Sequence, residues 1–157
     1  MRANLKATRA LGWVCAALMT YGTTYAAGLA QAADLKLQSQ LLWGTDDAKP
    51  PEGKNYKPVE PDILKRLKEL PLKWKNYFEV KRTDFILGPE LTKKVPLSDK
   101  CELNVVRQNN STVEVSLIGR GKEVVRRTQS LPKGQILVLG GNAPNATAWL
   151  VILKRTD

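Results

Sequence analysis

The chain has 157 residues, with 25 Lys and Arg against 15 Asp and Glu, two cysteines and no histidine. Without histidine it cannot build a Ser-His-Asp triad, a Cys-His catalytic pair or an imidazole metal site. The composition therefore excludes the histidine-dependent classes of enzyme and leaves carboxylate catalysis and oxygen-ligand calcium sites open.

Residues 1–32 have the order of a secretory signal peptide. Three basic residues lie within the first nine positions, and an apolar stretch follows from Ala10 to Met19. A run of small residues then ends at Ala30-Gln31-Ala32. This order predicts cleavage after Ala32, with Ala26 or Ala27 as alternative cleavage points.

An uncleaved membrane anchor is the alternative interpretation of this segment. Residues 10–33 are long enough to cross a bilayer, but threonines, a tyrosine and a glutamine dilute them, and the densely apolar part is only about ten residues long. We therefore expect a secreted or periplasmic protein, and an anchored one only if cleavage fails.

The predicted mature chain, residues 33–157, is long enough for one domain with its own core. Removing the signal takes away three basic residues and no acidic ones, so the net charge falls from +10 to +7. It also leaves Cys101 as the single thiol, so we expect no internal disulfide, no closed zinc site and no cofactor. A buried, inert Cys101 is favoured over an intermolecular bridge.

The first elements are predicted from hydrophobic periodicity. Residues 35–43 alternate between apolar and polar, which is typical of a half-buried strand, with Gln38 and Gln40 facing solvent. Residues 44–58 are predicted to be a long surface loop because Pro50-Pro51 prevents regular hydrogen bonding. Residues 61–70 follow with helical spacing and predict one short amphipathic helix.

From Lys73 onward the pattern is typical of strands. In the first of these, Trp74, Phe78 and Val80 are expected to face inward and Tyr77 outward. Further short strands are predicted over 83–87, from 94, and over 101–105, 113–117 and 123–128.

A tight loop at Gly119-Arg120-Gly121 joins two of these strands. The loop length sets the register and places Glu114 opposite either Arg126 or Arg127. The basic residues of this hairpin are expected to block edge-to-edge pairing between molecules.

The last two strands, 136–139 and 148–153, are almost continuously apolar, and this pattern predicts that they lie at the centre of a sheet. A connection through Gly140-Gly141-Asn142 and Pro144-Asn145 suggests an antiparallel pair. The fold class is therefore mainly β, a single antiparallel sandwich or partly open barrel of about eight short strands with one short helix.

The densest basic region, residues 65–82, is the candidate binding site. It interleaves cations with aromatic residues, as polyanion-binding surfaces do. Solvated helix and strand faces explain the same pattern. The candidate residues are Lys65, Arg66, Lys68, Lys73, Lys75, Tyr77, Lys81 and Arg82.

Three smaller motifs favour structural interpretations. Asp46-Asp47 lacks the further oxygen ligands that a calcium site needs, so a turn role is preferred. Asn110-Ser111-Thr112 and Asn145-Ala146-Thr147 match the glycosylation pattern but are expected to be unused, because the signal is typical of bacteria.

These observations predict an exported, non-enzymatic β-domain that binds or scaffolds a protein or an acidic polymer in the bacterial envelope or outside the cell. The alternative is recognition of a polyanion, such as an acidic polysaccharide, anionic lipid or nucleic acid, through the basic region. A carboxylate-dependent hydrolase is the remote alternative.

Overall fold

The computed structural model describes residues 33–89, 91–142 and 147–157. The predicted signal peptide, residues 1–32, and the motif at Pro144-Asn145 lie outside the described residues. The described chain is mainly β, with nine strands in two antiparallel sheets and one short helix. This confirms the predicted sandwich-like class, and the described strands do not close into a barrel.

The elements are numbered in chain order. The strands are β1 Leu35–Thr45, β2 Lys57–Pro58, β3 Asn76–Leu87, β4 Thr92–Ser98, β5 Cys101–Arg107, β6 Thr112–Gly119, β7 Lys122–Ser130, β8 Ile136–Asn142 and β9 Ala148–Arg155, and the helix is α1 Pro61–Lys68. Sheet A has the order β2-β3-β1-β9-β8, and sheet B has the order β4-β5-β6-β7.

Sheet A is buried on both faces around its central strand. Leu37 and Leu41 of β1 belong to the core shared with sheet B, which also contains Val105 and Val115. Leu42, which points to the opposite face, packs in a second cluster with residues of α1. The molecule is therefore layered as α1, sheet A and sheet B, and this arrangement places two different surfaces on the two faces of sheet A.

This layering corrects the prediction of a half-buried first strand. Gln40 was expected to face solvent, but it is completely buried on the α1 side of sheet A. Its side-chain amide donates a hydrogen bond of 2.8 Å to Oε1 of Gln38, which partly offsets the cost of burying a polar group. The alternation of β1 was predicted correctly, but the helix that covers its polar face could not be placed from periodicity.

Helix α1 begins at Pro61, as predicted, because proline suits the first helical position, where its missing N–H costs nothing. Ile63 and Leu67 are buried and attach the helix to sheet A. The helix ends at Lys68, two residues earlier than predicted, and Leu70 is 38% exposed. A helix of eight residues is not stable alone, so docking of this stripe maintains it.

A bulge at Val80 moves Lys81 to the face of sheet A that Phe78 occupies. The register shifts here, because Leu41 pairs with Lys81 whereas Leu42 pairs with Glu79. Tyr77, which was expected to face outward, is 7% exposed because it lies on the face of sheet A that α1 covers, and Glu79 on the same face is 8% exposed. The outward prediction for Tyr77 was therefore wrong, and so was the division into two short strands, since β3 is continuous.

The last two strands were only partly predicted. β9 lies between β1 and β8, inside sheet A, as expected for an apolar run. β8 lies at an edge of the sheet, so its predicted central position was wrong. Its pattern is apolar because Leu137 and Leu139 face sheet B while Val138 packs on the α1 side. β8 also continues to Asn142, which the sequence assigned to the connection.

The hairpin of β6 and β7 turns at Arg120 and Gly121, both with positive φ. A register shift after Leu117 moves Glu114 opposite Thr128, so neither predicted pairing is formed directly. Glu114 still reaches Arg126 diagonally, at 3.3 Å. β7 is an edge strand, the position expected for its blocking role.

No helix in the part of the chain that the structure describes is long and apolar enough to cross a membrane.

Candidate functional site

Five of the eight predicted binding residues are exposed cations on α1 and in the segment that follows it. They carry five positive charges and form no side-chain ion pair or hydrogen bond with any other described residue. Their charges are therefore available to a ligand. We call this set the basic surface, and its members are Lys65, Arg66, Lys68, Lys73 and Lys75.

The other three candidates have internal contacts. Tyr77 is buried beneath the helix layer, and burial, followed by the charge of Asp46, raises the pKa of its hydroxyl. Lys81 donates a hydrogen bond of 2.8 Å from Nζ to the backbone carbonyl of Pro96 in sheet B. Neither residue belongs to the basic surface.

Arg82 connects β3 to the start of α1. Its Nε lies 3.2 and 3.1 Å from the two carboxylate oxygens of Glu79, and its Nη1 pairs with Glu60, the N-cap residue of α1. The pKa of Arg82 is raised, chiefly by its hydrogen bond to Glu79. Because Glu79 is buried, the role of Arg82 is to satisfy that carboxylate and to hold the helix on sheet A.

A groove of about 570 Å³ adjoins the basic surface at the edge of sheet A. One wall is the segment 70–74, which ends at Trp74, and the other includes Val138 of the edge strand β8. Lys73 and Arg127 contribute two cations to its lining. The groove therefore joins apolar surface to positive charge, a combination that suits an acidic ligand with an apolar part.

Trp74 is positioned by close approach to the backbone of β1. A Cβ atom on Gly44 would lie 3.4 Å from Cγ of Trp74 and 3.3 Å from Cε1 of Tyr77. The indole therefore packs against the bare backbone of Gly44, on the α1 side of sheet A. A side chain at this position would press on both rings.

A second site lies on the other face of sheet A, where β1 ends. Its floor is Trp43, and its wall is the loop that follows β1. The open cleft has a volume of about 640 Å³, within the usual range for ligand pockets. We call it the aromatic cleft, and its lining is Trp43, Asp47, Ala48, Lys49, Pro50, Pro51, Glu52 and Thr147.

Two further aromatic rings pack against the floor of the aromatic cleft. Tyr56 packs edge-on against Trp43, with ring centroids 6.1 Å apart, and Phe78 lies 6.2 Å away on β3. Trp149 is the direct partner of Trp43 on β9. This cluster was not predicted. Trp43 and Trp149 come together only because β1 pairs with β9, and the two residues are more than one hundred positions apart in the chain.

Asp46 and Asp47 organise the loop that forms the cleft wall. Oδ1 of Asp46 accepts a hydrogen bond from the backbone N–H of Lys75, and Oδ2 of Asp47 accepts one from the hydroxyl of Thr45 at 3.1 Å. These contacts connect the end of β1 to the start of β3 and agree with the predicted turn role. Among the described residues no group of three or more potential ligands could hold a metal ion.

Cys101 is half-buried and packs against the core between the sheets. Burial raises the pKa of its thiol, so the reactive thiolate is disfavoured at neutral pH. The predicted inert character of this cysteine is in keeping with that environment.

Comparisons with protein-family models, with curated proteins and with solved structures found no match.

Proposed function

We propose that the chain is an exported, non-enzymatic binding protein that holds an acidic polymer on its basic surface, in the periplasm or outside the bacterial cell. The single observation that carries the proposal is the set of five exposed cations without internal partners. A polyanion can pair with such cations without breaking a contact that holds the fold.

The neighbouring groove supports the same function. Lys73 belongs both to the basic surface and to the groove lining, and Trp74 lies between Lys73 and Lys75 in the chain. An aromatic ring beside two cations gives a ligand a face for stacking as well as charge for attraction. An acidic polysaccharide fits this combination, because its sugar rings have apolar faces and its carboxylates or sulfates provide charge.

The test is charge reversal with a matched control. Lys73→Glu with Lys75→Glu reverses two charges of the basic surface, and Lys93→Glu with Lys94→Glu reverses two exposed charges on β4 in sheet B. We expect the first pair to weaken binding of labelled polygalacturonate about tenfold or more in low salt, and the control pair less than about twofold.

Equal losses in the two double variants would show that net charge alone, rather than the basic surface, governs binding. Absence of binding by the unmodified protein in low salt would refute the proposal. Parallel titrations with single-stranded DNA and with anionic vesicles identify the class of polyanion. Tighter binding to the DNA or to the vesicles than to polygalacturonate would show that the ligand is a nucleic acid or an anionic lipid instead of a polysaccharide.

A further inference from the structure

Three aromatic side chains form a row across neighbouring strands of sheet A. Trp43 on β1 is paired with Phe78 on β3 and with Trp149 on β9, so all three side chains point to the same face. Adjacent strands lie about 4.8 Å apart, and the three positions therefore span roughly two strand spacings. Trp43 is only 7% exposed, so the ring of the row that a ligand can reach most readily is that of Trp149.

The row lies beyond the sandwich core. The next residues on the same face of β1 and β9 are Leu41 and Val151, and both belong to the core shared with sheet B. None of the three aromatic residues belongs to that core. Trp149 is 41% exposed, which is unusual for the largest apolar side chain. Exposed aromatic surface beside a preformed cleft indicates a site of contact with a ligand.

The side chains that line the aromatic cleft have a net negative charge, whereas the chain as a whole has a net positive charge. The lining has two carboxylates, on Asp47 and Glu52, against the single cation of Lys49. In a domain with a predicted net charge of +7, this is a local excess of negative charge. A polyanion is therefore disfavoured here, so the cleft and the basic surface select different ligands.

Carboxylates and aromatic faces together suit a neutral sugar. The C–H face of a pyranose ring packs on an aromatic ring, and its hydroxyl groups donate hydrogen bonds to carboxylate oxygens. The cleft is open rather than enclosed, so it can admit an internal part of a long chain. We propose that the aromatic cleft is a second binding site, which takes a neutral polysaccharide chain.

This proposal goes beyond the function proposed for the basic surface and is tested separately. Hexasaccharides of β-1,4-linked N-acetylglucosamine and of β-1,4-linked glucose are titrated into the purified protein by calorimetry. Trp149→Ala should weaken binding of the preferred hexasaccharide about tenfold, and Trp149→Phe should restore most of the affinity because a stacking face returns.

Ile86→Ala is the matched control, because Ile86 is an exposed apolar residue of β3 that lies away from the cleft. It should leave the affinity unchanged, as should Lys73→Glu with Lys75→Glu. A dissociation constant weaker than about 1 mM for both hexasaccharides would overturn the proposal. Equal affinity of the Trp149→Ala variant and the unmodified protein would overturn it as well.

Discussion

The basic surface and the aromatic cleft lie on opposite faces of sheet A, and the chain builds them in different ways. The basic surface is local, because all five cations fall within eleven consecutive residues. The aromatic cleft joins Trp43 of β1 to the loop that follows it and to Thr147, and Phe78 of β3 and Trp149 of β9 are the strand partners of Trp43. A cluster of charges that is local in the chain can therefore be predicted from the sequence. A row of aromatic residues on neighbouring strands cannot, because it forms only when the strands pair.

The difference also concerns the physical basis of binding. In the binding that we propose for the basic surface, long-range attraction between charges dominates, and salt screens it. In the binding that we propose for the aromatic cleft, contact between apolar faces and short hydrogen bonds dominates, and salt has little effect on either. Salt and single substitutions should therefore affect the two kinds of binding differently, and substitutions in contacts that hold the fold should affect stability instead.

The largest expected effect is the salt dependence of polymer binding. If the five cations each contact one anionic group, raising the salt from about 50 to 200 mM should weaken binding of the acidic polymer about a hundredfold. Binding of the neutral hexasaccharide should change less than about twofold over the same range. The measurement is a pair of titrations at four salt concentrations, and parallel slopes for the two ligands would contradict the distinction.

The next effect separates a structural cation from the binding cations. Arg82→Met leaves the buried carboxylate of Glu79 without its partner and frees the start of α1, so we expect a loss of about 2 kcal/mol in the free energy of unfolding. Lys73→Met, at an exposed position, should change it by less than about 0.5 kcal/mol. Urea denaturation measures both, and equal stability of the two variants would contradict the assigned role of Arg82.

A smaller effect is expected at Gly44, which lies in β1 directly after the floor of the cleft. Gly44→Ala would press a methyl group against Trp74 and Tyr77 on the α1 side, at a cost of about 1 kcal/mol. We expect polymer binding to weaken more than hexasaccharide binding, because Trp74 lines the groove beside the basic surface. A larger loss of hexasaccharide binding would contradict the assignment of Trp74 to the α1 side.

The smallest effect concerns an ion pair outside both surfaces. Nε of Arg155 lies 2.6 Å from Oδ1 of Asp157, and hydrogen bonding to Arg155 lowers the pKa of this carboxyl below its ordinary value. Because the folded-state pKa is lowered, the contribution is present above the ordinary pKa of aspartate and is lost as the pH falls through the folded-state value.

Asp157→Asn should therefore reduce the free energy of unfolding by less than about 1 kcal/mol at pH 7 and have no effect at pH about 2. Urea denaturation at the two pH values is the measurement. The same difference between variant and unmodified protein at both values would contradict an ionic origin.

How much of the fold the sequence revealed depends on how local each feature is. The strand at Leu35, the helix at Pro61 and the hairpin at Arg120 follow from short patterns and were predicted. The bulge at Val80 and the edge position of β8 depend on partners elsewhere in the chain and were not. The burial of Tyr77 depends in the same way on α1, which covers the face of sheet A that the sequence pattern assigned to solvent.

The candidate sites divide in the same way. The cations of the basic surface could be found by counting charges, but only contacts could show that Arg82 is neutralised by Glu79 and Glu60. The aromatic cleft could not be predicted, because Trp43 and Trp149 are read as separate core residues until β1 and β9 are paired.

The central claim is that one chain carries two independent sites of opposite charge, and a bridging assay tests it most directly. Protein is bound to an insoluble neutral glycan bearing the preferred sugar, and fluorescent polygalacturonate is then added in low salt. The account predicts that the polymer is retained with the unmodified protein and lost with either Trp149→Ala or Lys73→Glu with Lys75→Glu. Release of the protein from the glycan by the acidic polymer would instead reveal a single shared site and would contradict the account.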